Sequence, residues 1–482
     1  MPTTTTPQPT SSAAPERRPA PRTRRGRCVA ALALLLSLAP GCADDPRTGD
    51  ADDAQGQRPN IVVILADDLG MEAFGCYGGE LGPSPHVDAL GQAGVRFTDA
   101  HTTPLCTPTR VRLMTGRSGP RSYTGFRTLH PGERTFAHQL QAAGYTTAVV
   151  GKWQLSGDRG KVASDLPGTL PAEAGFDRWC LWQVTELGSR YADPTLEVDG
   201  QKVERPGEYG PDVFVDYAEA FLAESRDGPF LLYYPMVLPH DPYEPTPHSL
   251  EAKAAGGSAT AAELELLAGE DEAARKQRLF RDMAAYTDHN VGRLVDALDR
   301  TGLADDTLVI FATDNGSSRH VRGVVDGVER EGSKANTTEL GTRMPLVLRW
   351  PGHVQAGTTF DSPVDLMDLM PTLVEAGGAA LPADRVIDGI SLVPALTGRA
   401  TWPRELLTFG YDPYPGIPGK RRARWARGLG LKLYADGRIF RTAEDPAEYA
   451  ALQAGDLTGA EGAALARLEA ALAALPERHP RD

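Results

Sequence analysis

The sequence predicts an α/β fold: a large mixed, mostly parallel sheet flanked by helices, followed by a small C-terminal α+β domain built on an antiparallel sheet. Three observations carry this. Short β-branched runs recur along the chain and end in residues able to do chemistry, and stretches with helical periodicity separate them. At 482 residues, with 41% hydrophobic and 24% charged residues, the chain can also bury a sizeable core. Collagen, coiled coil, wholesale disorder and a small disulfide scaffold are thereby excluded. Five cysteines, Cys28, Cys42, Cys76, Cys106 and Cys180, are too scattered for a disulfide framework or a clustered zinc site and leave room for one structural disulfide at most.

The N-terminus reads as an address. Residues 1–27 are rich in Thr, Pro, Ser and Arg, Val29 to Ala39 is the apolar run VAALALLLSLA, and Gly41-Cys42 comes directly after Pro40. A basic region, a short apolar stretch and a small-residue junction make residues 1–41 an export signal, well short of the roughly 20 residues a spanning helix needs. Gly41-Cys42 resembles a bacterial lipoprotein junction, which makes Cys42 the expected lipid anchor, with plain signal cleavage as the alternative. Arg24-Arg25 also permits a twin-arginine route. Residues 42–57 are a polar tether with nothing to bury. The expected location is periplasmic or cell-surface. Six arginines against Glu16 make residues 1–41 net +5, so with a total of −14 the rest of the chain carries −19. A body this acidic argues against nucleic acid and against any membrane contact other than the anchor.

From Arg58 the strands begin. Asn60 to Ala66 (NIVVILA) is a continuous run of the doubly covered parallel type and ends in Asp67-Asp68. Thr146 to Val150 leads into Gly151-Lys152-Trp153-Gln154, and Phe230 to Val237 leads into Pro239-His240. Met283, Tyr286, Val291, Leu294, Val295 and Leu298 recur at helical spacing and stop at Gly302. Thr307 to Ala312 reaches Asp314-Asn315. Ligands in such sheets bind outside the carboxyl ends of the strands, so these four polar termini should converge. Three carboxylates and an amide oxygen (Asp67, Asp68, Asp314, Asn315) without His or Cys make a hard oxygen cage for Ca²⁺, or less readily Mg²⁺, rather than zinc. A single Asp-Asp or Asp-Asn pair would read as a cap or turn; two pairs, each after a buried strand, read as a metal site. Lys152, His240 and Lys334 add cationic donors suited to a sulfate or phosphate group.

Residues 97–117 (FTDAHTTPLCTPTRVRLMTGR) contain Cys106-Thr107-Pro108-Thr109-Arg110, a Cys-x-Pro-x-Arg pattern, with Leu113-Met114-Thr115-Gly116-Arg117 after it. Here the chain resembles the type I sulfatases, which share the alkaline-phosphatase-like fold. The resemblance runs from about Pro59 to about Gly398 through NIVVILADDLG, SPHVDALGQAGVRFTDAH, GKWQL, LPHDPY, FATDNG, Gly332-Ser333-Lys334, GTRMPLVLRWPG, LMDLMPTLVEAGG and DGISLVPALTG. It implies that a maturation enzyme reading Pro108 and Arg110 oxidises Cys106 to Cα-formylglycine. The aldehyde hydrate then supplies one hydroxyl to attack sulfur and a second whose collapse expels sulfate. It further implies that Asp67, Asp68, Asp314, Asn315 and residue 106 hold calcium and that Arg110 holds the hydrate. Lys152 and Lys334 would grip sulfate, with His240 as general acid, shared with Lys334. The implied substrate is an aryl or carbohydrate sulfate ester.

Two departures qualify this. Gln154 stands where the family has His, and an amide has no proton-accepting nitrogen at neutral pH, so either turnover stalls at the sulfated stage or another base or water substitutes. Thr109 stands where Ser is commonest. Thr102, Thr103, Thr107 and Thr109 raise the alternative of a Thr nucleophile, as in phosphatase relatives. Phosphodiester or phosphonate hydrolysis on the same fold is therefore a rival reading. A lipoprotein that binds sulfated glycans without turnover is another.

The sulfatase-like catalytic domain is expected over residues 58–400 and a small domain over 401–482. In the latter, Arg421 to Tyr434 should begin an antiparallel sheet that Ile439 to Ala450 closes. Ala460 to Leu475 should lay Leu465, Leu468, Leu472 and Leu475 on it as one helix face. Lys420, Arg421, Arg422 and Arg424 read most simply as a solvated loop rather than the rim of an anionic cleft. Gly157 to Ala174 and Glu244 to Glu270 are the expected variable walls of the substrate pocket.

Overall fold

A ten-stranded mixed sheet organises the chain. Its order is 358–360, 95–97, 346–349, 307–313, 60–66, 230–235, 146–152, 178–182, 195–198 and 201–204. The five strands from 307–313 to 178–182 run parallel, while 346–349 on one side and 195–204 on the other join antiparallel. A computed structural model describes residues 58–157, 167–225, 227–415 and 422–477. The export signal over 1–41, Cys42 and the tether over 42–57 lie outside the described residues, as do Lys420, Arg421 and residues 158–166 of the 157–174 wall.

The central strand explains the fold. Every residue of Asn60–Ala66 is buried, because successive side chains enter two separate cores. Val62, Ile64 and Ala66 pack with Phe214, Phe221, Met283, Leu294 and Leu298 from helices Gly210–Glu224 and Glu272–Thr301. Ile61, Val63 and Leu65 pack with Met114, Leu140 and Leu373 from helices Cys106–Thr115, Phe136–Ala142 and Leu369–Ala376. The 30-residue helix carrying the predicted Met283–Leu298 stripe is capped by the Asp271 side chain and ends at Gly302 in the left-handed region.

The strand ends differ slightly from the sequence reading. Thr146–Lys152 continues two residues past its apolar run. This extension needs Gly151, at φ +117, because a Cβ there would lie 2.2 Å from the Pro235 carbonyl oxygen. Phe230–Pro235 ends two residues early, where the chain leaves the ladder toward His240. Cys76, Cys106 and Cys180 are free thiols, and no disulfide occurs among the described residues.

The C-terminal part is a four-stranded antiparallel sheet, Leu407–Tyr411, Ala423–Gly428, Leu431–Tyr434 and Ile439–Arg441. Leu429 and Gly430, both at positive φ, form its tight two-residue turn. The first strand is one the sequence reading did not foresee. One sheet face (Ala426, Leu431, Leu433) meets Leu465 and Leu468 of helix Gly459–Ala474; Leu475 is buried but falls just past the helix end. The other face (Phe409, Trp425, Tyr434, Phe440) packs on Leu105. Arg422 pairs with Asp412 at 3.3 Å and Arg424 donates to the Leu475 carbonyl at 2.6 Å, so both serve this domain's own structure. No described helix is long and apolar enough to cross a membrane.

Replacing Ile64, which is fully buried in the central strand, with Ala should lower the unfolding free energy by about 2–5 kcal/mol in chemical denaturation. A loss below about 1 kcal/mol would show that this strand is not central to the core.

Candidate active site

The register brings the predicted termini together. Ala66 pairs with Thr313, so Asp67 and Asp314 leave the sheet side by side, the Asp314 amide donating to the Ala66 carbonyl at 3.1 Å. Asp68 sits at φ +67, a conformation Asp tolerates better than most residues, and its amide donates to Asp314 Oδ1 at 3.2 Å. Asn315 Nδ2 donates to Asp68 Oδ1 at 2.8 Å. Asp67, Asp68, Asp314 and Asn315 are all buried.

Each carboxylate has its own cation. Lys152 Nζ donates to Asp67 Oδ2 at 2.6 Å. Arg110 forks onto Asp314 Oδ2 through Nε at 3.0 Å and Nη2 at 2.9 Å. Lys334 Nζ bonds Asp68 Oδ2 and lies 3.1 Å from His240 Nε2. With an ammonium facing Nε2, that nitrogen accepts, and Nδ1 carries the hydrogen toward the Asp241 carbonyl at 2.7 Å, a tautomer assigned from the network. All the residues named from the sequence therefore meet in one place.

Cys106 opens helix Cys106–Thr115, which closes at Gly116 in the left-handed region, where a Cβ would press on Met370. Its Sγ, Asp67 and Asp314 offer ligand atoms all within 4.8 Å of one another, and Gln154 Oε1 lies 4.0 Å from Sγ. Gln154 adopts φ +52. The four threonines are occupied elsewhere. Thr109 Oγ1 is 2.9 Å from Thr102 Oγ1 and 2.7 Å from Thr103 Oγ1, and Thr107 accepts the Arg127 amide at 3.3 Å. The side chain grouped with the carboxylates is that of Cys106.

Electrostatics show what is unbalanced. Burial opposes ionisation of Asp67 and Asp68. Lys152 acting chiefly on Asp67 nevertheless holds it well below the usual carboxylate range, and His240 and Lys334 lower Asp68. Burial and the Asp67 charge instead raise Asp314, despite Arg110. Burial lowers His240 and raises the Cys106 thiol, so the unmodified thiol is protonated and a poor nucleophile. Lys334 is raised: burial opposes its charge but Asp68 and its neighbours prevail. Asp67 Oδ1 and Asn315 Oδ1 are buried acceptors without a hydrogen-bond partner. Orphaned oxygens beside a carboxylate that resists ionisation are what a divalent cation would satisfy, and the donor set is hard oxygen. Among the described residues, both groups of potential metal ligands, Asp67-Asp68-His240 and Asp67-Cys106-Asp314, fall here. Arg110 Nη1 is likewise buried without a partner.

Arg190 is a neighbour of the site that sequence reasoning missed. Its Nη2 lies 3.1 Å from His240 Nδ1 and bonds the Asp241 carbonyl, while the guanidinium stacks on Trp182 and Tyr191 at 4.7 and 5.1 Å. It lies between strands in an irregular segment with no local pattern to mark it.

Comparison with known proteins gives the family. The model described as Sulfatase matches residues 59–379, and that described as N-sulphoglucosamine sulphohydrolase, C-terminal, matches 334–450. Arylsulfatase A of Homo sapiens is 32% identical over 462 residues, covering 86% of this chain and 81% of its own length. Steryl-sulfatase of Mus musculus is 31% identical over 446 residues, covering 73% of this chain and 67% of its own. A solved structure in complex with its substrate D-glucosamine-2-N,6-O-disulfate shares the fold at TM-score 0.70 and 24% identity, covering 88% of this chain and 100% of that one. The phosphonate monoester hydrolase of Agrobacterium radiobacter shares it at TM-score 0.64 and 22% identity, covering 86% and 96%. With relatives this similar over most of the chain, and with such a site at its strand ends, the chain belongs to the sulfatase family of the alkaline phosphatase superfamily and is a sulfuric ester hydrolase.

Proposed function

We propose that this sulfatase is exported, depends on calcium and uses Cα-formylglycine formed from Cys106 to hydrolyse aryl or carbohydrate sulfate esters. The observation that carries the reading is the grouping of Cys106 with Asp67 and Asp314 inside a ring of Lys152, Lys334, Arg110 and His240. Asp67, Asp68, Asp314 and Asn315 would hold calcium, which supplies charge to polarise a sulfate oxygen and to favour loss of a proton nearby. A hydrated aldehyde at position 106 supplies two hydroxyls on one carbon, one to displace the alcohol at sulfur and one to release sulfate.

The chain's own side chains do the rest. Lys152 and Lys334 are the cations available to the non-bridging sulfate oxygens, and their fixed positions avoid reorganisation as charge builds. The unpartnered Arg110 Nη1 is a donor for a hydroxyl on residue 106. His240 Nε2 accepts from Lys334, so the proton needed by the leaving alcohol originates on this pair and passes through whichever member faces the ester oxygen. Gln154 lies close enough to position 106 to orient a hydroxyl but cannot take its proton. Export through residues 1–41 and lipidation at Cys42 rest on the N-terminal sequence.

In protein from its own host, the tryptic peptide Phe97–Arg110 should carry formylglycine at 106, and the enzyme should prefer an aryl sulfate to the matched phosphate diester in kcat/KM. Unmodified cysteine, or a preference for phosphorus, would overturn the reading. Asp314→Ala should weaken calcium binding by more than about 100-fold in calorimetry, beyond the effect of losing an outer-shell partner. Retained affinity would refute the cage. Gln154→His should raise the multiple-turnover rate if release of sulfate limits it; an unchanged or lower rate would show that Gln154 suits its site.

A further inference from the structure

Behind the site lies a second set of buried charges, outside the ring that meets the substrate. Lys432, fully buried on strand Leu431–Tyr434 of the C-terminal sheet, donates to the Thr337 carbonyl and to Glu448 Oε1 at 2.7 Å, and its Nζ lies 3.6 Å from Glu339 Oε1. Tyr434 Oη lies 3.0 Å from the same Thr337 carbonyl and 2.6 Å from Glu448 Oε2. Arg427, from the adjoining strand, pairs with Glu339 at 3.1 Å and with Asp99 at 2.8 Å.

Thr337 is three residues from Lys334, in a segment fixed at both ends. On the near side, the Lys334 amide donates to the Ser317 carbonyl at 2.9 Å. The Ala335 amide donates to the Pro104 carbonyl at 2.7 Å, two residues before Cys106. Ala335 itself sits at φ +66, a left-handed conformation that an L side chain adopts only under constraint. On the far side, the restraints on Thr337 come from Lys432 and Tyr434. Replacing the whole buried set by apolar residues would cost little, but removing Lys432 alone takes a cation from both Glu448 and Glu339, a folding cost that must be separated from any effect on Lys334. The distinctive contact of Lys432 is the bond to a main-chain carbonyl in the segment that carries Lys334.

We propose that Lys432 is a positioning residue for Lys334, so that the C-terminal sheet sets where the ammonium stands relative to position 106. The inference rests on the role given to Lys334 above. Misplacement of a reacting group by about 1 Å can cost on the order of 100-fold in rate. The effect should therefore fall on kcat, and it should vanish once Lys334 is gone.

The experiment measures kcat and KM of the full chain on 4-nitrophenyl sulfate for Lys432→Met, Tyr434→Phe, Lys334→Ala and each of the first two combined with Lys334→Ala. Thermal unfolding of every variant controls for folding. Lys432→Met should lower kcat about 10- to 100-fold with KM within about 3-fold, and should cost less than about 2-fold further in the Lys334→Ala background. Tyr434→Phe, which keeps the charge and loses one restraint on Thr337, should show a smaller loss that disappears in the same background. It decides the matter should Lys432→Met not fold. Losses that multiply in the double variants, or a wild-type kcat in both single variants, would overturn the inference. An undiminished kcat in Lys334→Ala would overturn the reading of Lys334 itself, and the inference with it.

Discussion

Three carboxylates buried side by side at the ends of two adjacent parallel strands are the constraint around which this molecule is built. An ionised carboxylate is expensive to remove from water unless it is paired and hydrogen-bonded. Asp67, Asp68 and Asp314 each meet a different cation, and each cation comes from a different element: Lys152 from a strand two places along the sheet from that of Asp67, Lys334 from a loop and Arg110 from the helix that begins with Cys106. The cluster is therefore completed only when the long-range topology is in place. The unpartnered oxygens of Asp67 and Asn315, and the reluctance of Asp314 to ionise, mark what those three cations leave unsatisfied.

Much of this was readable in the residues because the site is made at strand ends. A continuous β-branched run such as NIVVILA is of the kind that forms a strand covered on both faces, and adjacent parallel strands deliver the residues just beyond their carboxyl ends to one edge. Asp67, Asp68, Lys152, His240, Asp314 and Asn315 were located that way. Lys334 was named beside them but stands at no such strand end, and its role in gripping sulfate came from the family resemblance. Arg190 was invisible, since its aromatic platform of Trp182 and Tyr191 is assembled from separate segments.

The C-terminal sheet shows a different limit of sequence reading. In LKLY, alternation puts Leu431 and Leu433 on one face and Lys432 and Tyr434 on the other. A half-exposed strand would leave the second pair in water. Here the second face is covered too, so Lys432 and Tyr434 are buried against the segment that ends in helix Glu339–Thr342. One strand's sequence cannot report whether its polar face meets solvent or another domain. The charge that looks solvated in the sequence is fully enclosed in the fold.

Apolar packing and directional bonds then divide the work at that junction. Phe409, Trp425, Tyr434 and Phe440 press on Leu105, and the Arg112 guanidinium lies 4.9 Å over the Phe409 ring, which holds the sheet close to the helix that begins at Cys106. Contacts of this kind are strong but tolerate sliding, because dispersion has no preferred angle. The bonds from Lys432 to the Thr337 carbonyl, from the Thr337 hydroxyl to Tyr434 Oη, and from Arg427 to Glu339, do have one. The same structural unit that fixes the approach of Cys106 through Leu105 therefore also fixes the segment bearing Lys334. In the proposed mechanism, nucleophile and charge-stabilising group would then share a frame, which is the condition for fixed electrostatics to act on a developing charge without first reorganising.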